Sequence, residues 1–356
     1  MAHALRLARR GLYSAHPNPM VGCVLVREGA IVGRGWHHQA GEPHAEINAL
    51  HDARGDARGA IAYVTLEPCA HEGRTGPCTT ALIEAGVGAV VAAMEDPFPE
   101  VSGRGFAALR AAGIGVRSGL LQAEAAALNA GFVARHSRQR PFVRLKMAAS
   151  LDGCTAMANG ESHWITGTAA RQDVQRLRAR SGAVLTGIGT VLEDDPSLTV
   201  RDKSLSPRQP LRAVADSRLR MPPASCMLTL PGRTELFCIE DGRRETLERA
   251  GATVHLLPAV DGRVDLEAVL RELAAMQVND LLVEAGRQLA GALLAAGLVD
   301  ELVVYQSPHF MGSETRGMFA TPGWARLVQR MALDIVDVRR VGADTRTIAR
   351  PVPEAG

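Results

Sequence analysis

The sequence predicts an α/β protein built of two domains. Its 356 residues exceed what one hydrophobic core usually fills. Short apolar runs of strand character alternate with runs at helical spacing, the pattern of sheets covered by helices. Composition then changes over residues 135–141 (Arg135-His136-Ser137-Arg138-Gln139-Arg140-Pro141), a basic, apolar-poor run ending in proline. Such a run marks a linker between a first domain, 1–140, and a second, 141–356.

Residues 3–12 have the spacing of a short amphipathic helix, which must end before His16-Pro17-Asn18-Pro19, where two prolines impose an extended turn. Val21 to Val26 and Ile31 to Trp36, either side of a Glu-Gly turn, predict a hairpin. A helical run follows His44, a strand run covers residues 62–66, and a second helical run follows Cys78. Residues 87–94 have the character of a buried strand; beyond Asp96-Pro97-Phe98-Pro99 come a helix at about 106–112 and a short strand near Ile114. Residue 142 opens the strand pattern of the second half. Its Gly187-Ile188-Gly189-Thr190 lacks the third glycine of a dinucleotide fingerprint, so the pattern argues against a Rossmann domain. Glycine at 187 after a strand run, and at 286 before a helical one, still lets backbone N–H groups approach a phosphate.

The chemistry concentrates between residues 44 and 78. His44-Ala45-Glu46, Glu67-Pro68-Cys69 and Pro77-Cys78 supply one histidine and two cysteines, and three protein ligands plus a water is what a catalytic zinc requires. Two helix starts, at His44 and Cys78, would face the ion and favour thiolate. Residues two apart on a helix do not share a face, so Glu46 is placed to carry protons rather than to ligate. Lowering the pKa of a water from about 15.7 to about 7 is worth roughly 12 kcal/mol, more than any other feature of this half offers. A structural zinc site is usually closed by a fourth His or Cys at short spacing, and none presents itself here.

This His-x-Glu followed by Pro-Cys and a second Cys resembles the zinc-dependent nucleobase deaminase signature. The eight-residue spacer between Cys69 and Cys78 narrows the likeness to the deaminase half of the bifunctional riboflavin-biosynthesis diaminohydroxyphosphoribosylaminopyrimidine deaminase/reductases. Four motifs of the second half resemble the reductase of the same family: Phe142 to Gly153, Gly160 to Thr166, Thr186 to Arg201, and Val283-Glu284-Ala285-Gly286. The resemblance implies a cytidine-deaminase-like three-layer domain followed by a dihydrofolate-reductase-like α/β domain. It implies zinc-hydroxide deamination of a phosphoribosylaminopyrimidine, then reduction of the ribosyl group by NADPH. Zinc would be held by His44, Cys69 and Cys78, and Glu46 would shuttle protons. Asn18, His37, His71 and Arg74 would contact the deaminase substrate. Ser162, Arg178, Leu198, Arg201 and Glu284 would hold the reductase substrate. Trp164, Thr190, Asp194, Ser217 and the loop Gly286, Arg287, Gln288, Leu289, Ala290 would line the NADPH site. Two departures from the family pattern stand out: Phe98 replaces an asparagine, and Arg287 replaces a proline.

Lys146 is one of only two lysines in an arginine-dominated chain, the other being Lys203. Where any cation would serve, arginine is the expected choice, so Lys146 is a candidate proton donor to the sugar. A net charge of +2 argues against an extended nucleic-acid footprint. Aromatic residues are only 4%, which disfavours the main rival, a nucleic-acid base deaminase with an accessory domain. No run is long enough to span a bilayer and no signal peptide is evident, so a cytoplasmic enzyme with reduced cysteines is expected, acting as a homo-oligomer on a small phosphorylated pyrimidine without nucleic-acid or membrane partners.

Overall fold

In the first unit, strands β1 (Gly22–Arg27) and β2 (Ala30–Trp36) form the expected hairpin. The turn uses Glu28 and Gly29 with φ of 52° and 81°, the pair of positive values that suits the twist of a tight hairpin. Strands β3 (Ile61–Val64), β4 (Ala89–Ala92) and β5 (Gly115–Ser118) complete a sheet in the order β2-β1-β3-β4-β5, with β3, β4 and β5 parallel. The computed structural model describes residues 1–352 apart from 71–75, 163, 203, 206, 207, 322 and 324.

Helices cover both faces of this sheet, and β1 shows why. Its Cys23 and Leu25 join one buried cluster while the intervening Val24 joins another, as the two-residue period of a strand requires. On the first face lie α2 (Ala45–Asp52), α3 (Cys78–Glu84) and α4 (Arg104–Ala111), contributing Ala49, Leu82 and Leu109. On the second lie α1 (Ala2–Ala8), α5 (Gln122–Leu128) and α6 (Ala130–Arg138), contributing Leu5, Ala125 and Phe132. Leu25, Leu82 and Leu109 are all 0% exposed, each contributing roughly 1.5–3 kcal/mol by burial.

Glycine sets the closest approaches. A Cβ on Gly35 would stand 2.2 Å from the Ala45 carbonyl oxygen and one on Gly33 2.3 Å from that of Ala49, so α2 rests on bare strand backbone. Gly22 does the same for α1 on the opposite face, with 2.1 Å to the Ala4 carbonyl.

The expected linker is corrected. Residues 135–138 belong to α6, whose last turn carries Arg135, His136 and Arg138, and Gln139 ends it at φ 53°. Basic residues there complement the negative end of the helix dipole, which is why the run looks like a composition break without being extended. Contacts divide the chain into Met1–Arg140 and Pro141–Gly356.

The second unit has strands β6 (Phe142–Ser150), β7 (Cys154–Ala156), β8 (Ala183–Gly187), β9 (Leu211–Ala215), β10 (Thr234–Cys238), β11 (Ala252–Leu256), β12 (Ala259–Val260), β13 (Arg263–Val264), β14 (Asp280–Glu284), β15 (Glu301–Ser307), β16 (Arg316–Gly317), β17 (Leu333–Val341) and β18 (Asp344–Pro351). Nine of them form one sheet in the order β11-β10-β9-β8-β14-β6-β15-β18-β17, parallel from β11 to β15 and closed by antiparallel β18 and β17. Helices α7 (Thr168–Arg180), α8 (Ile188–Asp194), α9 (Cys226–Thr229) and α10 (Arg244–Arg249) supply Val174, Leu177, Val191, Met227 and Leu247 to one face. Helices α11 (Leu266–Ala275) and α12 (Arg287–Ala295) supply Leu270, Leu273 and Leu293 to the other. Central β14 is therefore apolar on both sides, with Leu281, Leu282 and Val283 all fully buried. Among the described residues, no helix is long and apolar enough to cross a membrane, and all six cysteines are free.

Candidate functional site

Three separate pieces of chain bring His44, Cys69 and Cys78 together. His44 is the N-cap of α2, Cys69 follows β3, and Cys78 is the first residue of α3. Their ligand atoms all lie within 4.8 Å of one another. His44 Nδ1 is 3.3 Å from Cys78 Sγ and 3.6 Å from Cys69 Sγ. With metal–sulfur and metal–nitrogen bonds of about 2.3 and 2.05 Å, a tetrahedral N···S edge measures about 3.6 Å, so these donors already have the spacing of a zinc site. One imidazole and two thiols are also the donor chemistry zinc prefers.

The thiols are unequal. Hydrogen bonding from Cys78 foremost, with His44 adding to it and burial opposing, holds the Cys69 thiol well below its ordinary value. The Cys78 backbone N–H also donates to Cys69 Sγ at 3.4 Å, so the start of α3 faces that sulfur. Cys78 is pushed up, because its S–H is the one shared with the Cys69 thiolate. Glu46 lies in the first turn of α2 and is 3% exposed. Burial, reinforced by Cys69 and opposed by His44, raises its carboxyl to about 7, where it gains and loses a proton most readily near neutrality.

Asn18 and His37 are brought to this site. Asn18 Nδ2 is 3.0 Å from His37 Nε2, His37 Nδ1 is 3.2 Å from the Pro43 carbonyl, and the His37 ring meets that of His44 edge-on at 5.3 Å. With 2% exposure and a partner at both ring nitrogens, His37 braces Asn18 beside His44. His71 and Arg74 lie outside the described residues. Phe98 packs against His136 at 4.8 Å between ring centroids and against the cluster of Leu66, Met94 and Phe132, so the family's asparagine is replaced here by core.

In the second unit, neighbouring strands β8 and β14 send their following helices to opposite sides, since β8 leads to β9 and β14 leads to β15. Such a reversal marks the carboxyl ends of the strands as the place where α/β sheets bind ligands. Gly187 and Gly286 are the N-caps of α8 and α12, and the Gly286 N–H donates to Thr190 Oγ1 at 3.2 Å. A Cβ on Gly187 would lie 3.5 Å from Leu289, whereas one on Gly189 would meet nothing within 4 Å, so there is open room over backbone for a phosphate-bearing cofactor. Gly286, Arg287 and Gln288 are exposed beside it and Leu289 is half-buried. Ala290 is 0% exposed and belongs to the buried cluster on the α12 face of the sheet. Ser217, just past β9, accepts from the Val264 N–H at 3.0 Å and so holds the β12–β13 hairpin. Trp164 is 69% exposed with Arg171 over its ring, Asp194 is exposed at the end of α8, and Ser162 is half-buried.

Lys146 and Glu284 are register partners on β6 and β14, and Lys146 Nζ is 3.5 Å from Glu284 Oε2. Arg178, on α7, reaches the same carboxylate through Nε at 2.5 Å and Nη2 at 3.1 Å, and Nη1 donates to the Thr199 carbonyl at 3.0 Å. Arg178 is thus part of a largely buried ion pair, with three of its donor contacts made within the chain. Burial would raise Glu284, but Arg178 and then Lys146 overcome it and hold the carboxyl at about 2. Leu198 is 3% exposed beside Thr199, and Arg201 is exposed with its backbone N–H on Gln175.

Two acidic residues escaped the sequence reading. Glu67 is buried and accepts three backbone N–H groups, and Asp96 is raised to about 7 by burial foremost, with Glu67 and Cys69 adding to it. A glutamate ending an otherwise apolar strand run was the available signal for Glu67.

Residues 1–94 match the model for the cytidine and deoxycytidylate deaminase zinc-binding region, and residues 141–347 match that for the RibD C-terminal domain. The chain is 50% identical over 355 residues to the riboflavin biosynthesis protein RibD of Escherichia coli, covering 97% of this chain and 96% of that one. It is 43% identical over 362 residues to RibD of Haemophilus influenzae, covering 99% and 96%. Among solved structures, Acinetobacter baumannii RibD superposes with a TM-score of 0.92 at 44% identity, covering 99% of this chain and 97% of that one. The deaminase/reductase of Thermotoga maritima gives 0.86 at 32% identity with the same coverage. A zinc-type donor set beside a buried glutamate, glycine-capped helix starts at the carboxyl ends of a parallel sheet and likeness along the full length converge: the chain belongs to the RibD family of bifunctional deaminase/reductases of riboflavin biosynthesis.

Proposed function

We propose that unit 1–140 deaminates 2,5-diamino-6-(5-phosphoribosylamino)pyrimidin-4(3H)-one and that unit 141–356 reduces the product with NADPH to 5-amino-6-(5-phosphoribitylamino)uracil. His44, Cys69 and Cys78 would hold the zinc, which would supply Lewis-acid activation of the attacking water. Glu46 takes a proton from that water and delivers it to the ring nitrogen, then takes the proton of the newly added hydroxyl and delivers it to the departing amine as the carbonyl forms. Asn18, fixed by His37, orients the pyrimidine. In the second unit NADPH supplies the hydride. Lys146, steered by Glu284, donates a proton to the opened sugar. Arg201, exposed at the rim, suits the phosphate better than Arg178, whose contacts are committed to Glu284 and Thr199. Thr190, Asp194, Ser217, Trp164 and residues 286–289 surround the cofactor.

The observation that carries this reading is a zinc-type donor set with its own buried proton carrier in a chain similar to RibD over its whole length. The nucleic-acid deaminase reading leaves the second unit without a role. Incubation with the diaminopyrimidine should yield only the deaminated product without NADPH and the ribityl product with it, read by mass; an unaltered pyrimidine would overturn the assignment. We further propose a cytoplasmic homo-oligomer joined through edge strand β17. Its Leu333, Ile335, Val336 and Val338 are 44–59% exposed, an edge that soluble chains usually cover. Sedimentation of the chain as a monomer at micromolar concentration would count against it.

A further inference from the structure

Glu67 stands two residues before Cys69 and has no place in the chemistry described so far. Its carboxylate is buried, and it accepts from the backbone N–H groups of Asp96 at 3.2 Å, Gly103 at 3.0 Å and Phe106 at 3.1 Å. The Gly103 and Phe106 groups are among the unsatisfied donors at the start of α4, so Glu67 is a helix cap supplied from 36 residues away. The fit around it is close. A Cβ on Gly105 would stand 2.0 Å from the Pro68 carbonyl oxygen and 3.1 Å from Glu67 Oε1, so α4 is seated directly on the Glu67-Pro68 backbone. Gly103 takes φ 74° to let the chain enter α4 at that point.

Three parts of the first site meet here. Cys69 is joined to the clasp through Pro68, whose ring restricts the one residue between them. Asp96, whose N–H the clasp holds, begins the loop carrying Phe98. Helix α4 shares its buried cluster with Leu82 of α3, the helix that starts at Cys78. Cys69 is held from the α3 side as well, its carbonyl accepting from both Thr79 N and Thr79 Oγ1 at 3.2 Å. The clasp therefore lies between the two cysteines on the path that does not pass through the metal.

We propose that Glu67 is a positioning residue of the deaminase site, fixing Cys69 relative to Cys78 so that both sulfurs are set for the metal before it binds. This rests on the reading that His44, Cys69 and Cys78 hold zinc. Held donors release a metal slowly, because one ligand that swings away is returned before the next lets go; supporting contacts of this kind are commonly worth tenfold to a hundredfold in metal affinity.

The test uses the full chain loaded with zinc, and separately with cobalt as a spectroscopic probe. Zinc release to a colorimetric chelator, the sulfur-to-cobalt absorption and the unfolding midpoint are compared in the parent, Glu67→Gln, Gly105→Ala and Leu109→Ala. The last loosens α4 from its core face without touching the clasp. Glu67→Gln keeps the shape but turns an acceptor oxygen into a donor. It should release zinc at least tenfold faster and shift the cobalt band, and Gly105→Ala, which lifts α4 off Pro68, should do the same. Leu109→Ala should lose stability while keeping the parental release rate and band. Parental release and spectrum in both clasp variants would overturn the proposal, as would Leu109→Ala reproducing their changes at an equal loss of midpoint. A parent chain that holds no metal would instead sink the ligand assignment, and this inference with it; the two failures are told apart by the parent alone.

Discussion

Replacing Glu284 by glutamine tests the energetics of the second unit most directly. In the parent, the Glu284 carboxylate is only 10% exposed and lies against Arg178 and Lys146, which are 12% and 20% exposed. Glu284→Gln would leave two buried cations facing a neutral amide. Two routes give the cost. Removing one partner of a buried pair typically destabilises by about 3–5 kcal/mol, because the other charge remains desolvated. Independently, the gap between an ordinary glutamate at 4.5 and Glu284 at about 2, at ~1.36 kcal/mol per pH unit, amounts to about 3 kcal/mol. The sign follows from the depressed value: the contribution is complete above pH 4.5 and is lost as pH falls through that value toward about 2. Near pH 3 roughly half of it remains. Urea unfolding of the full chain, followed by circular dichroism, should show the transition of unit 141–356 weakened by about 3 kcal/mol at pH 7 in Glu284→Gln. The difference from the parent should be about halved near pH 3. A loss below about 1 kcal/mol at pH 7, or a difference that does not narrow on acidification, would refute the reasoning.

Purified protein should hold about one zinc per chain, and Cys69→Ala or Cys78→Ala should lose it; stoichiometric zinc in both variants, measured by metal analysis, would remove these residues from the ligand set. Glu46→Gln should keep its zinc while deamination, followed by ammonia release, falls by at least about a hundredfold, and near-normal turnover would assign the proton transfer elsewhere. Lys146→Ala should deaminate normally and fail to reduce supplied intermediate, whereas Glu46→Gln should reduce it at the parental rate of NADPH oxidation. Each group acts in a different transition state.

The zinc-type cluster was readable because its donors sit at element boundaries that announce themselves: a histidine just before a helical run, a cysteine after a strand run and another opening a helix. The hairpin at Glu28-Gly29 was readable because turn chemistry is local. What failed had distant causes. Helix α4 starts at Arg104, not near Phe106, because a carboxylate from residue 67 caps it, and no window of sequence contains both. Residues 135–138 resemble a linker because a helix end prefers basic residues just as a linker tolerates them. Strand β14 shows no alternation since both of its faces are covered, which left the second unit legible chiefly through family resemblance. His37 and Arg178 lie near their expected sites, and the partners they take there, Pro43 and Glu284, are visible only in three dimensions.

Resting α2 on Gly33 and Gly35 has a consequence for how this enzyme tolerates change. Where two elements are spaced by side chains, their separation drifts whenever a core residue is exchanged for a larger or smaller one, and rotamers absorb part of the error. Peptide groups have no rotamers. The contact between β2 and the Ala45 and Ala49 carbonyls therefore works as a mechanical stop, and His44 and Glu46, at the start of the same helix, move with it as one piece. Exchanges deeper in the core can accumulate without changing how far the proton carrier stands from the sheet. A single methyl group at position 33 or 35 displaces histidine and glutamate together, a failure that no adjustment of either side chain can repair.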